Sequence, residues 1–145
     1  MTLMEGGCLC GAVRYAASVQ PLLVRACWCR LCQYLAAGNA TVNAVFPREA
    51  VQISGVLRDY PSTADSGCRL HRRFCPECGV HLFSEAEERP HLLVVRVGTL
   101  DAPQDAAPQG IIWAAAAPPW ARLDPELPQH PGQPPAPAPR QEGDA

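Results

Sequence analysis

Residues 6–15 read GGCLCGAVRY and residues 74–83 read FCPECGVHLF, so two pairs of cysteines lie beside glycines at distant points of the chain. Cysteines separated by one or two residues on a turn aim two sulfurs at one metal ion, whereas such close neighbours are poorly placed to form a disulfide with each other. A structural zinc needs four ligands, and each pair supplies two. We therefore predict one structural zinc that ties the start of the domain to its middle, held by Cys8, Cys10, Cys75 and Cys78.

A third cluster, CWCRLC at residues 27–32, supplies three more sulfurs, from Cys27, Cys29 and Cys32. Three protein ligands and one open position are typical of a zinc that takes part in chemistry. The remaining cysteine, Cys68, stands alone in the sequence. As a fourth ligand it would close the second site and make that zinc structural too, and spacing alone does not decide between the two arrangements.

Length and composition limit the classes of protein to consider. The chain has 145 residues, of which 48% are hydrophobic, enough for one modest core and too few for two ordinary domains. A formal charge of −2 offers no broad attraction for nucleic acid or for an anionic membrane, and no apolar run or signal-like N-terminus suggests a membrane span or export. We expect a cytoplasmic protein, where thiols stay reduced and eight cysteines indicate metal binding rather than disulfides.

Short runs of alternating apolar residues predict a mainly β domain. The runs lie around residues 13–15, 42–46, 51–53 and 92–97, and prolines and glycines separate them. The best helical candidate covers residues 30–37, begins inside the third cysteine cluster and is stopped by Gly38. We predict that this short helix carries Cys32.

The end of the chain has a different composition. Seven prolines lie between Pro125 and Pro139, with few large apolar residues between them. Such a segment buries little apolar surface, so we predict a domain over residues 1–124 and an extended or disordered proline-rich tail over residues 125–145.

Five motifs in order resemble the glutathione-dependent formaldehyde-activating enzyme family, to which centromere protein V also belongs. They are G-x-C-x-C-G-x-V-x-Y at 6–15, the cysteine triplet at 27–32, F-C-P-x-C-G-x-H-L-F at 74–83, V-G-x-L-D at 97–101, and tryptophans at 113 and 120. The resemblance covers residues 5–128. In that family a histidine usually stands between the first two cysteines of the triplet, where this chain has Trp28.

The resemblance implies a small zinc-stapled β-tent domain with two zinc ions per chain, one structural on Cys8, Cys10, Cys75 and Cys78 and one catalytic on Cys27, Cys29 and Cys32. It further implies a zinc-dependent carbon-sulfur lyase that acts on a thiol or its aldehyde adduct, as an S-(hydroxymethyl)glutathione synthase does, with a small thiol such as glutathione as its partner. The alternative is a non-catalytic zinc scaffold that binds a protein or a small thiol, because fold alone does not determine function.

One strand candidate carries alternating cationic residues. Arg69, His71 and Arg73 would share one face of a strand. That face either binds the carboxylates of an anionic substrate such as glutathione or is an ordinary solvated face.

Overall fold

The computed structural model describes residues 2–135, and within them the protein is mainly β, as predicted. Apart from short 3-10 turns, the chain forms one α-helix, α1 (Arg30–Leu35). The strands are β1 (Met4–Gly7), β2 (Arg14–Ala17), β3 (Leu23–Cys27), β4 (Thr41–Pro47), β5 (Val51–Ser54), β6 (Arg58–Thr63), β7 (Arg69–Phe74), β8 (His81–Ala86), β9 (Leu92–Arg96) and β10 (Ile111–Ile112).

The strands build two sheets that enclose the core. The smaller has the order β1-β2-β5, and the larger has the order β10-β3-β4-β9-β8-β7-β6. Neighbouring strands are antiparallel except β10 and β3, which run parallel. Tyr15 of the small sheet packs edge to face on Phe83 of the large sheet, with ring centroids 5.1 Å apart, and its hydroxyl shares a hydrogen bond of 2.7 Å with Thr99. The alternating apolar runs therefore meet in one core between the sheets.

The predicted strands and helix are present, with small shifts at their ends. β4, β5 and β9 cover the alternating runs, and β2 begins one residue after the buried Val13. The helix ends at Leu35, two residues before the predicted end, because Ala37 and Gly38 both have a positive φ, of 54° and 99°, which breaks helical geometry. In the described part of the chain, no helix is long and apolar enough to cross a membrane.

The first part of the proline-rich tail forms hydrogen bonds with β10 and the residue after it. The amide of Ile111 donates to the carbonyl of Pro128 (2.9 Å), the amide of His130 donates to Ile111 (2.8 Å), and the amide of Trp113 donates to Gly132 (3.1 Å). A proline lacks an N–H, yet its carbonyl still accepts, so a proline-rich segment can cover the exposed edge of β10. Residues 128–133 thus contact the domain, while the boundary at residue 124 stays a prediction and the prediction for residues 136–145 lies outside the described residues.

We expect that deletion of residues 128–145 destabilises the protein, because it removes these bonds and exposes the edge of β10. The loss should be about 3 kcal/mol, since each of the three hydrogen bonds contributes about 1 kcal/mol net, and the melting temperature should fall by roughly 6–12 °C. Thermal unfolding followed by circular dichroism measures it. Deletion of residues 136–145 is the control and should leave the melting temperature unchanged; equal melting of both truncations would contradict the docking of the tail.

Ion pairs occupy the face of β7 that carries Arg69, His71 and Arg73. The imidazole of His71 contacts Asp59 through Nδ1 (2.6 Å) and Glu87 through Nε2 (2.8 Å), and Arg73 lies 3.1 Å from Glu85. Hydrogen bonds to Asp59 and Glu87 raise the pKa of His71 above its usual value. His71 and Arg73 are therefore neutralised by the protein's own carboxylates, and we assign this face to the solvated surface.

The raised pKa of His71 predicts a pH dependence of stability. The protonated imidazole is favoured in the folded state, so its contribution is fully present below the unfolded pKa of about 6.5 and disappears as the pH rises through the higher folded value. We expect His71→Gln to lower the melting temperature more at pH 6 than at pH 8.5. An equal loss at both values would show that the ion pairs contribute nothing.

Candidate metal centres

Four cysteines of two distant turns converge between the sheets. Cys8 and Cys10 lie in the turn between β1 and β2, and Cys75 and Cys78 lie in the turn between β7 and β8. Their sulfurs all lie within 4.8 Å of one another; that of Cys10 is 3.6 Å from that of Cys8 and 3.7 Å from that of Cys75. A tetrahedron of sulfurs at the usual zinc–sulfur distance of about 2.3 Å has edges of about 3.8 Å. The four-cysteine centre therefore fits one tetrahedral zinc.

The two turns are built alike. In each turn a glycine follows the second cysteine, and both glycines adopt the left-handed conformation, Gly11 with φ 82° and Gly79 with φ 76°. This conformation folds the turn back on itself and directs its amides at the sulfurs. The amide of Val13 donates to Cys8 Sγ at 3.3 Å, and the amide of Glu77 donates to Cys75 Sγ at 3.4 Å.

Backbone amides also favour the thiolate form that a metal requires. Hydrogen bonds from the amides of Val80 and Cys10 lower the pKa of Cys78 to about 6. Cys8 and Cys75 are buried and belong to the main core, where Cys75 is fully enclosed. Cys78 is half-buried and Cys10 is exposed, so this centre lies at the edge of the core, where turns of the two sheets meet.

The second cluster occupies the end of β3 and the start of α1. The Sγ atoms of Cys27, Cys29 and Cys32 lie within 4.8 Å of one another, and all three residues are buried. Cys29 caps the helix, since its sulfur accepts the amide of Cys32 at 3.3 Å. One helical turn then brings Cys32 back beside Cys29. The predicted triplet is thus assembled, and the helix carries Cys32 as expected.

The loop that holds this three-cysteine centre is fixed by side chains behind it. The buried Gln33 donates through Nε2 to the carbonyl of Trp28 (2.8 Å) and to that of Ala116 (3.1 Å). Trp28 is itself buried and packs edge to face on Trp120, with ring centroids 6.5 Å apart. Trp28 therefore serves packing behind the cysteines and does not line the pocket in front of them.

The three thiols differ in the direction in which their surroundings shift the pKa. Hydrogen bonds from Cys27 and Cys29, together with the charge of Arg96, lower the pKa of Cys32, whereas the contacts with Cys29 and Cys32 raise the pKa of Cys27. These contacts therefore favour the thiolate form of Cys32. Three close sulfurs with this negative charge fit a soft divalent cation such as zinc.

Cys68 belongs to neither group of sulfurs. It is half-buried, and its sulfur accepts a hydrogen bond from Arg89 Nη2 at 3.7 Å. Within the described residues, no other histidine, cysteine or carboxylate joins the three sulfurs to make a fourth ligand.

A pocket opens over the three-cysteine centre, and residues that the sequence analysis missed line it. They include four arginines from β3, β7, β9 and the turn before β9, namely Arg25, Arg72, Arg96 and Arg89. The signal for one of them was present, since Arg96 interrupts the apolar run predicted as a strand at residues 92–97. The sequence does not predict that the four arginines lie close together, because only the pairing of the strands in the sheet brings them to one pocket.

The tail and a strained tryptophan form one wall of this pocket. Trp113 has a left-handed backbone (φ 54°, ψ 33°), which is unfavourable for a bulky residue and persists only when its surroundings impose it. Gly132 accepts its amide, and Gln133 Oε1 accepts its indole N–H at 2.9 Å. Trp113 and Gln133 both line the pocket.

Comparisons with known proteins agree with this architecture. The family model described as "Glutathione-dependent formaldehyde-activating enzyme" matches residues 3–116. The crystal structure of a Rhodobacter sphaeroides protein, a structural genomics target, has the same fold with a TM-score of 0.56; it is 23% identical, and the match covers 70% of this chain and 94% of that one. The pocket wall around Gln133 lies beyond the family match. Because the family model covers most of the sequence, the chain belongs to the glutathione-dependent formaldehyde-activating enzyme family.

Proposed function

We propose that this protein is a cytoplasmic, zinc-dependent carbon-sulfur lyase that joins a small thiol such as glutathione to formaldehyde, or cleaves the adduct. The observation that carries the proposal is the contrast between the two cysteine centres. One has four sulfurs, enough to complete a tetrahedral site, and the other has three sulfurs that line a pocket. A ligand set with an open position beside a pocket is the arrangement that substrate chemistry requires.

Cys27, Cys29 and Cys32 would hold the catalytic zinc, and Cys8, Cys10, Cys75 and Cys78 the structural one. A zinc ion on three thiolates lowers the pKa of a thiol that takes its open position, so that a nucleophilic sulfur exists at neutral pH. In the overall reaction a carbon–sulfur bond forms, the carbonyl π bond of formaldehyde breaks, and the proton lost by the thiol is matched by one gained at the oxygen. The product is a hydroxymethyl thioether, and its cleavage is the lyase direction.

The chain's own residues hold the three sulfurs in position and exclude water from the pocket. Gln33 and the helix cap hold the three sulfurs in place, while Trp113 and Gln133 wall the pocket on one side. Their enclosure strengthens electrostatic interactions with a bound substrate, because less water screens them.

We expect two zinc ions per chain when the protein is purified without chelators. Native mass spectrometry counts them directly. A single zinc, or disulfides that survive in reducing buffer, would contradict the assignment of two centres.

The two centres should differ in what their loss does. Cys10→Ser or Cys78→Ser leaves three sulfurs at the junction of the sheets and should cost several kcal/mol, giving insoluble or molten protein. Cys29→Ser or Cys32→Ser affects a ligand loop of six residues, which adds little long-range constraint, so the variant should fold with one zinc and no thiol-dependent activity. Circular dichroism, zinc content and turnover of formaldehyde with glutathione measure the difference.

Cys68→Ala is the matched control. Since Cys68 lies outside both groups of sulfurs, the variant should keep two zinc ions and full activity. Loss of the second zinc in this variant would indicate a closed four-sulfur site and would favour the non-catalytic scaffold instead.

A further inference from the structure

The pocket over the three-cysteine centre has an excess of positive charge. Four arginines line it, against one carboxylate, Asp65. Among the described residues, none of the four forms a salt bridge. The three thiolates with a divalent cation would carry a net charge of minus one, which leaves the arginines largely uncompensated.

Arg72 is the most enclosed of the four. Only 5% of its surface is exposed, and its Nη1 donates to the hydroxyl of Ser62. It alternates along β7 with the ion-paired His71 and Arg73 and so faces the opposite side of the sheet. A guanidinium this deeply buried is unfavourable unless an anion or several acceptors satisfy it, and one hydroxyl does not do so.

Arg96 lines the same pocket as Cys27, Cys29 and Cys32, and its Nη1 donates to Asn43 Oδ1. Its Nε is buried and, among the described residues, has no hydrogen-bond partner. The guanidinium of Arg96 can therefore donate a further hydrogen bond in the pocket that the three cysteines also line.

Arg25 and Arg89 complete the group. Both are half-buried, and both line the pocket. Like charges held together in a half-buried site are mutually destabilising unless an anionic ligand joins them. Folding does not require four arginines to lie together in this pocket, so an anionic ligand is the natural explanation for the group.

We propose that Arg72 and Arg96 bind a carboxylate of the thiol substrate, and that Arg25 and Arg89 add to the field that attracts it, so that the pocket selects thiols bearing a carboxylate. The inference rests on the proposed function in one respect, namely that the thiol of this substrate occupies the three-cysteine centre. Arginine forks match carboxylates in a bidentate manner, which positions the substrate as well as attracting it.

The test compares three small thiols that differ in charge: 3-mercaptopropionate, 2-mercaptoethanol and cysteamine. Each is titrated into the cobalt-substituted protein, and the sulfur-to-cobalt absorption band reports thiol binding. We expect the carboxylate thiol to bind about 10-fold or more tighter than the neutral thiol, and the cationic thiol to bind most weakly. Thiol acidity alone would give the reverse order, because the ammonium group makes cysteamine the most acidic of the three.

Two variants and a control assign the preference to residues. Arg72→Gln should remove most of the preference for the carboxylate thiol, and Arg89→Gln, at a half-buried position whose loss threatens folding less, should reduce it severalfold. Arg69→Gln lies on the same strand at an exposed position and should leave all three affinities unchanged. The proposal would be overturned if the wild-type protein and both pocket variants bound the carboxylate thiol and the neutral thiol with equal affinity.

A ligand without a free thiol separates this inference from the proposed function. S-methylglutathione keeps both carboxylates of glutathione but cannot offer a thiol, and calorimetry measures its binding to the zinc-loaded protein. Binding that Arg72→Gln weakens about 10-fold supports the arginine site even if no thiol perturbs the cobalt spectrum, in which case the proposed function alone fails. Thiols that bind cobalt without regard to charge, together with no binding of S-methylglutathione, overturn the arginine site and leave the proposed function standing.

Discussion

The convergence of four sulfurs from two distant turns is the constraint on which the rest of the structure depends. The turn between β1 and β2 belongs to the small sheet, and the turn between β7 and β8 belongs to the large sheet. The sulfurs of Cys10 and Cys75 lie 3.7 Å apart and join the two turns beside buried residues such as Val13 and Leu82. A small core alone gives marginal stability, so a metal-sized junction between the sheets is an effective way to close this domain.

The three-cysteine centre at the end of β3 also offers sulfur ligands, but it lies in a different environment. There the sulfurs come from a strand end, a helix cap and the first turn of α1, and no second cysteine turn within residues 2–135 adds a fourth sulfur. The open side faces a pocket whose walls come from both halves of the large sheet and from the tail. Position in the fold, rather than the identity of the ligands, distinguishes a centre where two sheets meet from a centre beside a pocket.

The pocket also shows how distant segments depend on one another. The tail covers the edge of β10, and its Gly132 and Gln133 hold Trp113 in a left-handed conformation. Trp113 in turn packs against the three-cysteine cluster. A segment with few apolar residues thereby contributes to the shape of the site through backbone carbonyls, which composition does not register.

The sequence by itself determined the two cysteine groupings, the mainly β class, the position of the short helix and the family, because each rests on local spacing: ligands two or three residues apart, alternation with a period of two, and a glycine stop. What only the tertiary structure decided was which side chains meet across the sheets. Arg25, Arg72, Arg89 and Arg96 are far apart in the chain and converge on one pocket, Cys68 stays outside the sulfur groups, and the prolines of the tail supply carbonyls to an exposed strand edge. These contacts depend on strand order and register, which arise from the packing of the whole chain and leave no mark in any short stretch of sequence.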